Sequence, residues 1–281
     1  MFTEITKERG SKNKIIKLGT TNRLTKMTDV KGELLPIFKE IKTNFSVDLK
    51  KYYAGMVDGD GQIFLNKKRL GCVLELTENA AFPVIELSNI FDLTISRRVR
   101  TGKNNKTKPT LMINMYGFKA KWFLINIYPY LLEKKEKCKT FLISAGCPEH
   151  FFEDPFMEYR KFSYEYLAGY TDAEGFIGMY KYKAYSFYYS LGSTDFKQLN
   201  FILENLKKNG FKVKISLRKR KKDNHKQFYE LTLSGGHKDR AKLYKKLLPF
   251  MKMKHKIERM KNTIKYNEIS NMIDRRKNEM E

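Results

Sequence analysis

The sequence predicts an α+β fold built from two like halves. One ten-residue stretch occurs twice, as Tyr52 to Gly61 (YYAGMVDGDG) and as Tyr166 to Gly175 (YLAGYTDAEG). Each copy is followed by the same series of patterns: a strand-turn-strand hairpin, an amphipathic helix, a second hairpin and a further helix. A repeat of this size indicates two similar units related by a pseudo-twofold axis.

Each copy of the repeated stretch has the pattern of a helix that ends in carboxylates. Apolar and small residues with the helical period come first, and two acids separated by one small residue follow them. The closing residues, Gly61 and Gly175, are expected to adopt the left-handed conformation in which many helices end.

Small residues stand four apart within each predicted helix. Gly55 is paired in this way with Gly59, and Gly169 with Ala173. This spacing lets two helix backbones approach closely, by the geometry known from membrane helices. The pattern therefore predicts that the two helices pack on each other.

The last acid of each copy, Asp60 or Glu174, is predicted at the C-terminal end of its helix, which carries about half a negative charge. Two carboxylates that face each other there raise one pKa or share a cation, and Mg²⁺ prefers such oxygen ligands. The pattern indicates a metal-dependent reaction on phosphate oxygens. A core helix that ends in a solvated acid is the alternative interpretation.

The two stretches resemble the paired LAGLIDADG motifs of homing endonucleases, in the single-chain form with two motifs. The resemblance implies two pseudo-symmetric αββαββα units that form a β-saddle on DNA. It places Asp60 and Glu174, with their neighbours Gly59 and Ala173, at a site for Mg²⁺ or Mn²⁺. The predicted organisation is a basic N-terminal extension (1–48), a first unit (49–146), a linker (147–163) and a second unit (164–281).

The charge balance predicts a polyanionic partner. Lys and Arg number 56 against 31 Asp and Glu, so the 281 residues carry a net charge of +25. Nucleic acid and an anionic membrane surface are the two partners that such a charge favours. No stretch has the apolar length of a bilayer span, and the first fourteen residues lack the apolar run of a signal peptide. We therefore expect a soluble intracellular protein with no membrane partner.

Two further features of composition bear on the protein's environment. Cys72, Cys138 and Cys147 are odd in number and lack CxxC spacing, which predicts reduced thiols and no structural metal. Lys exceeds Arg, and Asn, Ile, Tyr and Phe are abundant, as in proteins from A+T-rich genomes. An organellar, phage or low-G+C origin is indicated, and a mitochondrion or chloroplast is the expected location if the gene is organellar.

The predicted hairpins carry much of the basic excess. Two-stranded ribbons fit the major groove, where alternate side chains reach base edges. Solvated loops are the alternative for any single charge run, but four similarly basic hairpins favour a binding surface for double-stranded DNA. The predicted DNA-binding residues are Lys67, Lys68, Arg69, Arg97, Arg98, Arg100, Lys181, Lys183, Arg218 and Arg220.

Two lysines follow proline-aromatic pairs with the same spacing, Lys134 after Pro129 and Lys254 after Pro249. The resemblance implies a basic residue at this place that organises water or stabilises the phosphate. The first segment departs further from the pattern, because Glu133 stands beside its lysine. Exposed helix lysines are the alternative interpretation.

Glu78 and Asp195 follow the second predicted strand of each half. The resemblance implies a polar, water-positioning residue at this place, where an amide is common. Because both residues are acids, a role as helix N-caps is equally open.

These patterns together predict a site-specific DNA endonuclease that acts as a monomer on a long asymmetric target. One alternative is an RNA-binding maturase that uses the same fold to help an intron RNA to fold. Another is a DNA-binding regulator on a degenerate version of the fold. Intact Asp60 and Glu174 favour the nuclease, because a protein that only binds needs no such acids.

Overall fold

The computed structural model describes residues 14–17, 24–29, 45–67, 69–100, 108–153, 162–181, 185–218 and 227–278. The chain forms two compact units. The first unit comprises Met1–Ser46, Asp60–Ile125 and Thr140–Cys147, and the second comprises Val47–Gly59, Asn126–Lys139 and Pro148–Glu281. The helix of the first motif thus belongs to the second unit up to Gly59.

The first half of the chain follows the predicted order of helix, hairpin, helix, hairpin and helix. Its elements are β1 (Lys14–Lys17), β2 (Leu24–Asp29), α1 (Val47–Asp60), β3 (Gly61–Asn66), β4 (Arg69–Thr77), α2 (Phe82–Phe91), β5 (Ile95–Arg100), β6 (Thr110–Tyr116), α3 (Gly117–Ile127) and α4 (Lys135–Ser144).

The second half repeats this order and ends in a long additional helix. Its elements are α5 (Tyr164–Glu174), β7 (Gly175–Lys181), β8 (Tyr185–Ser193), α6 (Phe196–Lys208), β9 (Val213–Arg218), β10 (Phe228–Leu233), α7 (His237–Leu247) and α8 (Lys254–Asn278). The predicted α+β class and the repeated αββαββα order are confirmed by α1 to α3 and by α5 to α7.

The first sheet is antiparallel and has the strand order β1-β2-β5-β6-β4-β3. Along β4, buried Leu70, Cys72, Leu74 and Leu76 alternate with residues on the opposite, open face, so one face of the sheet carries the core. Helix α2 packs on β4, β5 and β6. The basic stretch from Lys7 to Lys26 shows little periodicity, which predicts a flexible arm, but that prediction is wrong for β1 and for the first residues of β2. Their backbones pair with this sheet at one edge.

The second sheet is antiparallel with the order β7-β8-β10-β9. Buried Ile177, Tyr189, Leu191 and Leu231 form its core face. Helix α6 packs on β8, β9 and β10, α7 packs on β8, and α8 packs on α7 and β7. Helix α6 ends where Gly210 adopts a left-handed φ of 79°.

The two motif helices, α1 and α5, do not end in the left-handed glycines that the sequence predicts. Gly175 has φ −78° and ψ 136°, so it is extended and starts β7 directly after α5. Its lack of a side chain serves close packing instead, because a Cβ there would lie 2.7 Å from the Thr171 side chain. Gly61 likewise begins a strand, β3. The predicted left-handed helix ends are therefore wrong.

The sequence pattern predicts an amphipathic helix from Gly117 to Leu132 and helical character from Glu133 to Ser144, but the chain between α3 and α4 is less helical. A short 3₁₀ turn, Tyr128–Tyr130, follows α3, and Leu131 is extended with φ −65° and ψ 143°. Pro129 cannot continue a regular α-helix, because it lacks the backbone N–H. This break exposes backbone N–H groups that the candidate site uses.

The three cysteines are buried and form no disulfide with one another. None of the helices in the described ranges has the length and apolar character required to cross a membrane.

Candidate active site

The site is organised by α1 and α5, which pack through their glycines. Gly55 lies against the backbone of Tyr166 and Tyr170, and a Cβ at Gly55 would stand 2.7 Å from the Tyr170 nitrogen. Gly169 lies against Tyr52, and a Cβ there would stand 2.8 Å from the Tyr52 carbonyl carbon. Only glycine allows this approach of two backbones. The predicted helix packing is confirmed.

The helices stay close toward their C-terminal ends. A Cβ at Gly59 would collide with the side chain of Ala173 and would lie 3.1 Å from Cγ of Glu174. Glu174 is the last residue of α5 and Asp60 the last residue of α1, and both are exposed. Solvent-facing carboxylates are the oxygen donors that hard divalent cations take, so each of the two side chains has the chemistry of a Mg²⁺ ligand. Within the described part of the chain, no three His, Cys, Asp or Glu side chains cluster as ligands.

The first acid of the first motif, Asp58, is buried and serves the fold. Its carboxylate accepts hydrogen bonds from the backbone nitrogens of Leu132 at 2.7 Å and Lys134 at 2.8 Å. The Tyr166 hydroxyl donates to it at 2.7 Å. Burial raises the pKa of Asp58, although these hydrogen bonds and the Lys134 charge oppose the rise.

The first acid of the second motif, Asp172, has a parallel environment. Its Oδ2 accepts hydrogen bonds from the Tyr52 hydroxyl at 2.7 Å and from the backbone nitrogen of Lys252 at 2.8 Å. Its buried Oδ1 accepts none from the described residues. Burial raises the pKa of Asp172 as well.

Each motif therefore supplies a tyrosine that hydrogen-bonds the first acid of the other motif. The sequence pattern marks only the second acid of each copy as functional and does not reveal this pair of contacts. The signal was available, because the tyrosine and the first acid are identical in the two copies: Tyr52 with Asp58, and Tyr166 with Asp172.

Removing the Tyr166 hydroxyl should destabilise the protein more than removing the Tyr52 hydroxyl. The Tyr166 oxygen also accepts a hydrogen bond from Nε2 of buried Gln198 at 2.8 Å, so Tyr166→Phe leaves two buried groups short of a partner. We expect a loss of about 1–3 kcal/mol in the free energy of unfolding, measured by urea denaturation. Equal losses for Tyr166→Phe and Tyr52→Phe would contradict this account.

Lys134 caps the C-terminal end of α1. Its ammonium donates to the carbonyl oxygens of Val57, Asp58 and Gly59 at 2.7, 2.8 and 3.0 Å. The last carbonyl groups of a helix receive no hydrogen bond from an N–H of the same helix. A cation beside them offsets the negative charge of the helix end. The carbonyl of Gly59, a predicted metal neighbour, is thus already hydrogen-bonded to a cation.

In the second motif the equivalent contacts are made by Lys256 and not by Lys254. The Lys256 ammonium donates to the carbonyls of Thr171 and Asp172 at 2.8 and 2.6 Å, and the residue is only 9% exposed. Lys254 is exposed in the first turn of α8. The proline-aromatic spacing misses Lys256, because Lys134 precedes its helix whereas Lys256 lies inside α8.

Substitution of Lys256 should destabilise the protein far more than substitution of Lys254. Lys256→Met leaves helix-end carbonyls and the buried Asp172 carboxyl without their cation, so we expect a loss of about 3–5 kcal/mol in unfolding free energy. Lys254→Met should change that free energy by less than about 0.5 kcal/mol. Thermal unfolding of the two variants measures the difference. Similar unfolding temperatures for both variants would contradict the assignment of Lys256 as the buried cap.

Glu133, beside Lys134, also takes part in this site, although the sequence pattern marks it only as a departure from the motif. It is half-buried and accepts a hydrogen bond from the Ser193 hydroxyl at 3.3 Å. Burial raises its pKa, the charge of Lys134 lowers it, and the charges of Asp58 and Asp195 raise it further. The carboxyl of Glu133, next to the capping Lys134, is thus hydrogen-bonded to Ser193, the last residue of β8.

The two predicted water-positioning acids have different surroundings. Glu78 accepts two hydrogen bonds from Arg97, at 2.7 and 3.2 Å, at the start of a 3₁₀ turn. Asp195 is the N-cap of α6, where it accepts from the backbone nitrogens of Lys197 and Gln198 at 2.8 and 3.2 Å. The N-cap alternative therefore describes the Asp195 contacts, whereas Glu78 is an ion-pair partner.

The predicted DNA-binding residues lie on strands and at a hairpin turn. Arg98 pairs with Glu75 at 3.1 Å, and the guanidinium of Arg69 stacks 4.9 Å from the Tyr116 ring centre. Lys67 is exposed in the turn between β3 and β4. Arg100, Lys181 and Arg218 end β5, β7 and β9, whereas Lys68, Lys183 and Arg220 lie outside the described residues.

No protein-family profile and no curated protein matches the chain. Several solved structures are similar to it. The homing endonuclease I-WcaI bound to its DNA recognition sequence is 16% identical with a TM-score of 0.45, over 80% of this chain and 92% of that one. The meganuclease I-SmaMI bound to uncleavable DNA is 12% identical with a TM-score of 0.41, over 81% and 90%. I-DmoI with DNA and Mn is 14% identical with a TM-score of 0.41, over 72% and 96%. These structural neighbours are homing endonucleases, the family that the two motifs resemble.

Proposed function

We propose that the chain is a LAGLIDADG homing endonuclease that cuts both strands of one long, asymmetric DNA site. The observation that carries the proposal is the helix pair α1 and α5. The helices contact each other through Gly55 and Gly169, and each ends in an exposed acid. A protein that only binds nucleic acid has no need for two acids at helix C-termini, where the helix charge disfavours them.

In this proposal Asp60 and Glu174 would each supply carboxylate oxygens to a divalent cation. When bound, Mg²⁺ or Mn²⁺ neutralises charge that develops on the phosphate and makes a coordinated water more acidic. The chain's own residues fix the acids in place. Buried Asp58 and Asp172 hold the backbone of the segments that follow α3 and α7, and Lys134 and Lys256 hold the helix ends.

Two lysines are proposed to act on the phosphate. Lys254 is exposed and is the second-half residue that the motif spacing selects. Lys134 is the first-half residue, and its ammonium bonds the carbonyl of Gly59, the residue before Asp60. We assign Lys134 to a double role, capping α1 and adding positive charge beside the acid. Because Lys254 is exposed and is proposed to act on the phosphate, we expect Lys254→Met to slow cleavage and to leave the free energy of unfolding unchanged.

The open face of the first sheet is proposed to read base edges. It carries polar side chains at alternate positions of β3, β4 and β6, including Gln62, Asn66 and Asn114. Amide side chains bond adenine edges in the major groove, and arginines such as Arg69 bond guanine or phosphate. A sheet face of this composition supports sequence-specific binding.

DNA affinity should depend steeply on salt. Each phosphate that a basic side chain neutralises contributes a slope of about −0.9 to log K against log salt, and a face this basic should contact several phosphates. Anisotropy titrations of a labelled duplex over a salt series measure the slope. A slope of about −1 or shallower would mean that the basic hairpins are not the binding surface.

The experiment that tests the function is cleavage of a plasmid library of random targets. Incubation with the protein and Mg²⁺, followed by sequencing of the cut ends, should recover one long sequence whose two strands are both cut. The same incubation with a chelator should give no enriched ends. If no sequence is enriched while intron RNA is bound tightly, the maturase alternative replaces the nuclease.

A further inference from the structure

The two motif lysines differ in their capacity to act on a phosphate. The ammonium of Lys134 donates to the carbonyls of Val57, Asp58 and Gly59. A lysine has three N–H donors, so these contacts use all of them, and Lys134 acts on a phosphate through its charge alone. Lys254 is exposed in the first turn of α8, where a phosphate oxygen can reach its donors. We name the end of α1 with Lys134 the first centre.

Lys254 lies at the end of the second motif helix, α5. Contacts on either side of it hold the chain there. The backbone nitrogen of Lys252 donates to the Asp172 carboxylate at 2.8 Å, and the ammonium of Lys256 donates to the Asp172 carbonyl at 2.6 Å. Because α5 ends in Glu174, Lys254 is the motif lysine on the side of that acid. We name the end of α5 with Lys254 the second centre.

The residue that precedes each motif lysine also differs between the two centres. Glu133 stands four positions after Pro129, and Met253 stands four positions after Pro249. Met253 is buried and apolar, whereas Glu133 is half-buried and its charge interacts with that of Lys134. The first centre therefore has a carboxyl group at a position where the second centre has a thioether.

A serine holds the Glu133 carboxyl in place. The Ser193 hydroxyl donates to Oε2 of Glu133 at 3.3 Å and accepts a hydrogen bond from the backbone nitrogen of Asp195 at 2.9 Å. The Asp195 carboxylate in turn caps α6, so the serine belongs to an ordered part of the structure. A fixed negative charge beside Lys134 offsets part of the positive charge that this lysine brings to the first centre.

We propose that Glu133 slows cleavage at the first centre, so that the target strand at the second centre is cut first. This inference rests on the proposed endonuclease function. In the hydrolysis a water oxygen bonds to phosphorus while the bond to the leaving ester oxygen breaks, and the leaving oxygen takes up the proton that the water loses. Negative charge develops on the phosphate in this step, which a cation stabilises and a neighbouring carboxylate opposes. The chain therefore forms a nicked duplex before both strands are cut.

The test is single-turnover cleavage of the library-selected duplex in Mg²⁺, with a separate label on each strand. The original chain should accumulate duplex that is nicked in one strand, and Lys254→Met should slow that strand more than the other. Glu133→Gln keeps the shape of the side chain and removes its charge. It should speed the slower strand by about threefold to tenfold and change the faster strand by less than about twofold.

Two control variants separate the charge of Glu133 from other effects. Glu133→Asp keeps the charge and should keep the original order of cleavage. Glu204→Gln removes an exposed acid on α6 in the same unit and should leave both strand rates unchanged. Because both centres belong to one chain, a loss of folded protein slows both strands alike and does not alter the ratio of their rates.

Three results would overturn the proposal. The first is equal rates for the two strands in the original chain, and the second is an unchanged ratio of rates in Glu133→Gln. The third is slower cleavage of either strand in Glu133→Gln, because Glu133 would then assist the reaction. Absence of any Mg²⁺-dependent nick or cut is a different result, which defeats the proposed endonuclease function and this inference with it.

Discussion

Asp60→Asn and Glu174→Gln are each expected to slow DNA cleavage by at least about a hundredfold while DNA binding survives. The amides keep the shape of the carboxylates but remove the charge that would hold Mg²⁺. Binding is expected to persist or to tighten, because one negative charge is removed from a surface that is proposed to face phosphates. Strand-specific gels and anisotropy titrations measure the two effects. One variant should nick a single strand if each acid serves mainly one strand.

Glu204→Gln is the matched control for these substitutions. Glu204 is an exposed acid on α6 that pairs with Lys207, and it lies outside the candidate site. Its amide variant should cut both strands at the original rate. The assignment of the acids fails if a folded Asp60→Asn or Glu174→Gln protein also cuts both strands at that rate in Mg²⁺.

Gly169→Ala and Gly55→Ala are expected to destabilise the protein strongly. At both positions a Cβ would collide with backbone atoms of the facing helix, and backbone cannot rotate away as a side chain can. Overpacking of this kind costs about 1–3 kcal/mol or more, even though alanine favours a helix over glycine. Urea denaturation measures the loss.

Gly236→Ala provides the control for the glycine variants. No atom lies within 4 Å of a Cβ built at Gly236, and its φ is −67°. Gly236 is the N-cap of α7, where alanine is less favourable than glycine, so its unfolding free energy should fall by about 1 kcal/mol or less. Equal stability of Gly169→Ala and Gly236→Ala would contradict the close packing of α1 and α5.

The order of helices and strands was predictable because it rests on local patterns. Alternation of apolar residues along β4 and the repeated motif identify the hairpins and the two central helices. Ile257, Met260 and Ile264 also have helical spacing, so the sequence pattern can predict α8 as well. The pairing of β1 and β2 with a sheet carried no such local signal.

The buried network could not be predicted because its contacts are distant in sequence. Asp58 bonds the backbone of residues 74 and 76 positions away, and Asp172 bonds Lys252 at a separation of 80. The choice of Lys256 over Lys254 depends on where α8 begins, which residue spacing alone does not determine. Local rules therefore identify the acids that end the helices but not the groups that hold the helix ends.

The most direct test of the account is single-turnover cleavage at one protein chain per duplex. The duplex carries the sequence selected from the library, each strand has its own label, and Mg²⁺ starts the reaction. The account predicts that one chain cuts both strands, because each of its two motifs supplies one acid. Cleavage of one strand alone until a second chain is added, or of neither strand at any ratio, would contradict it.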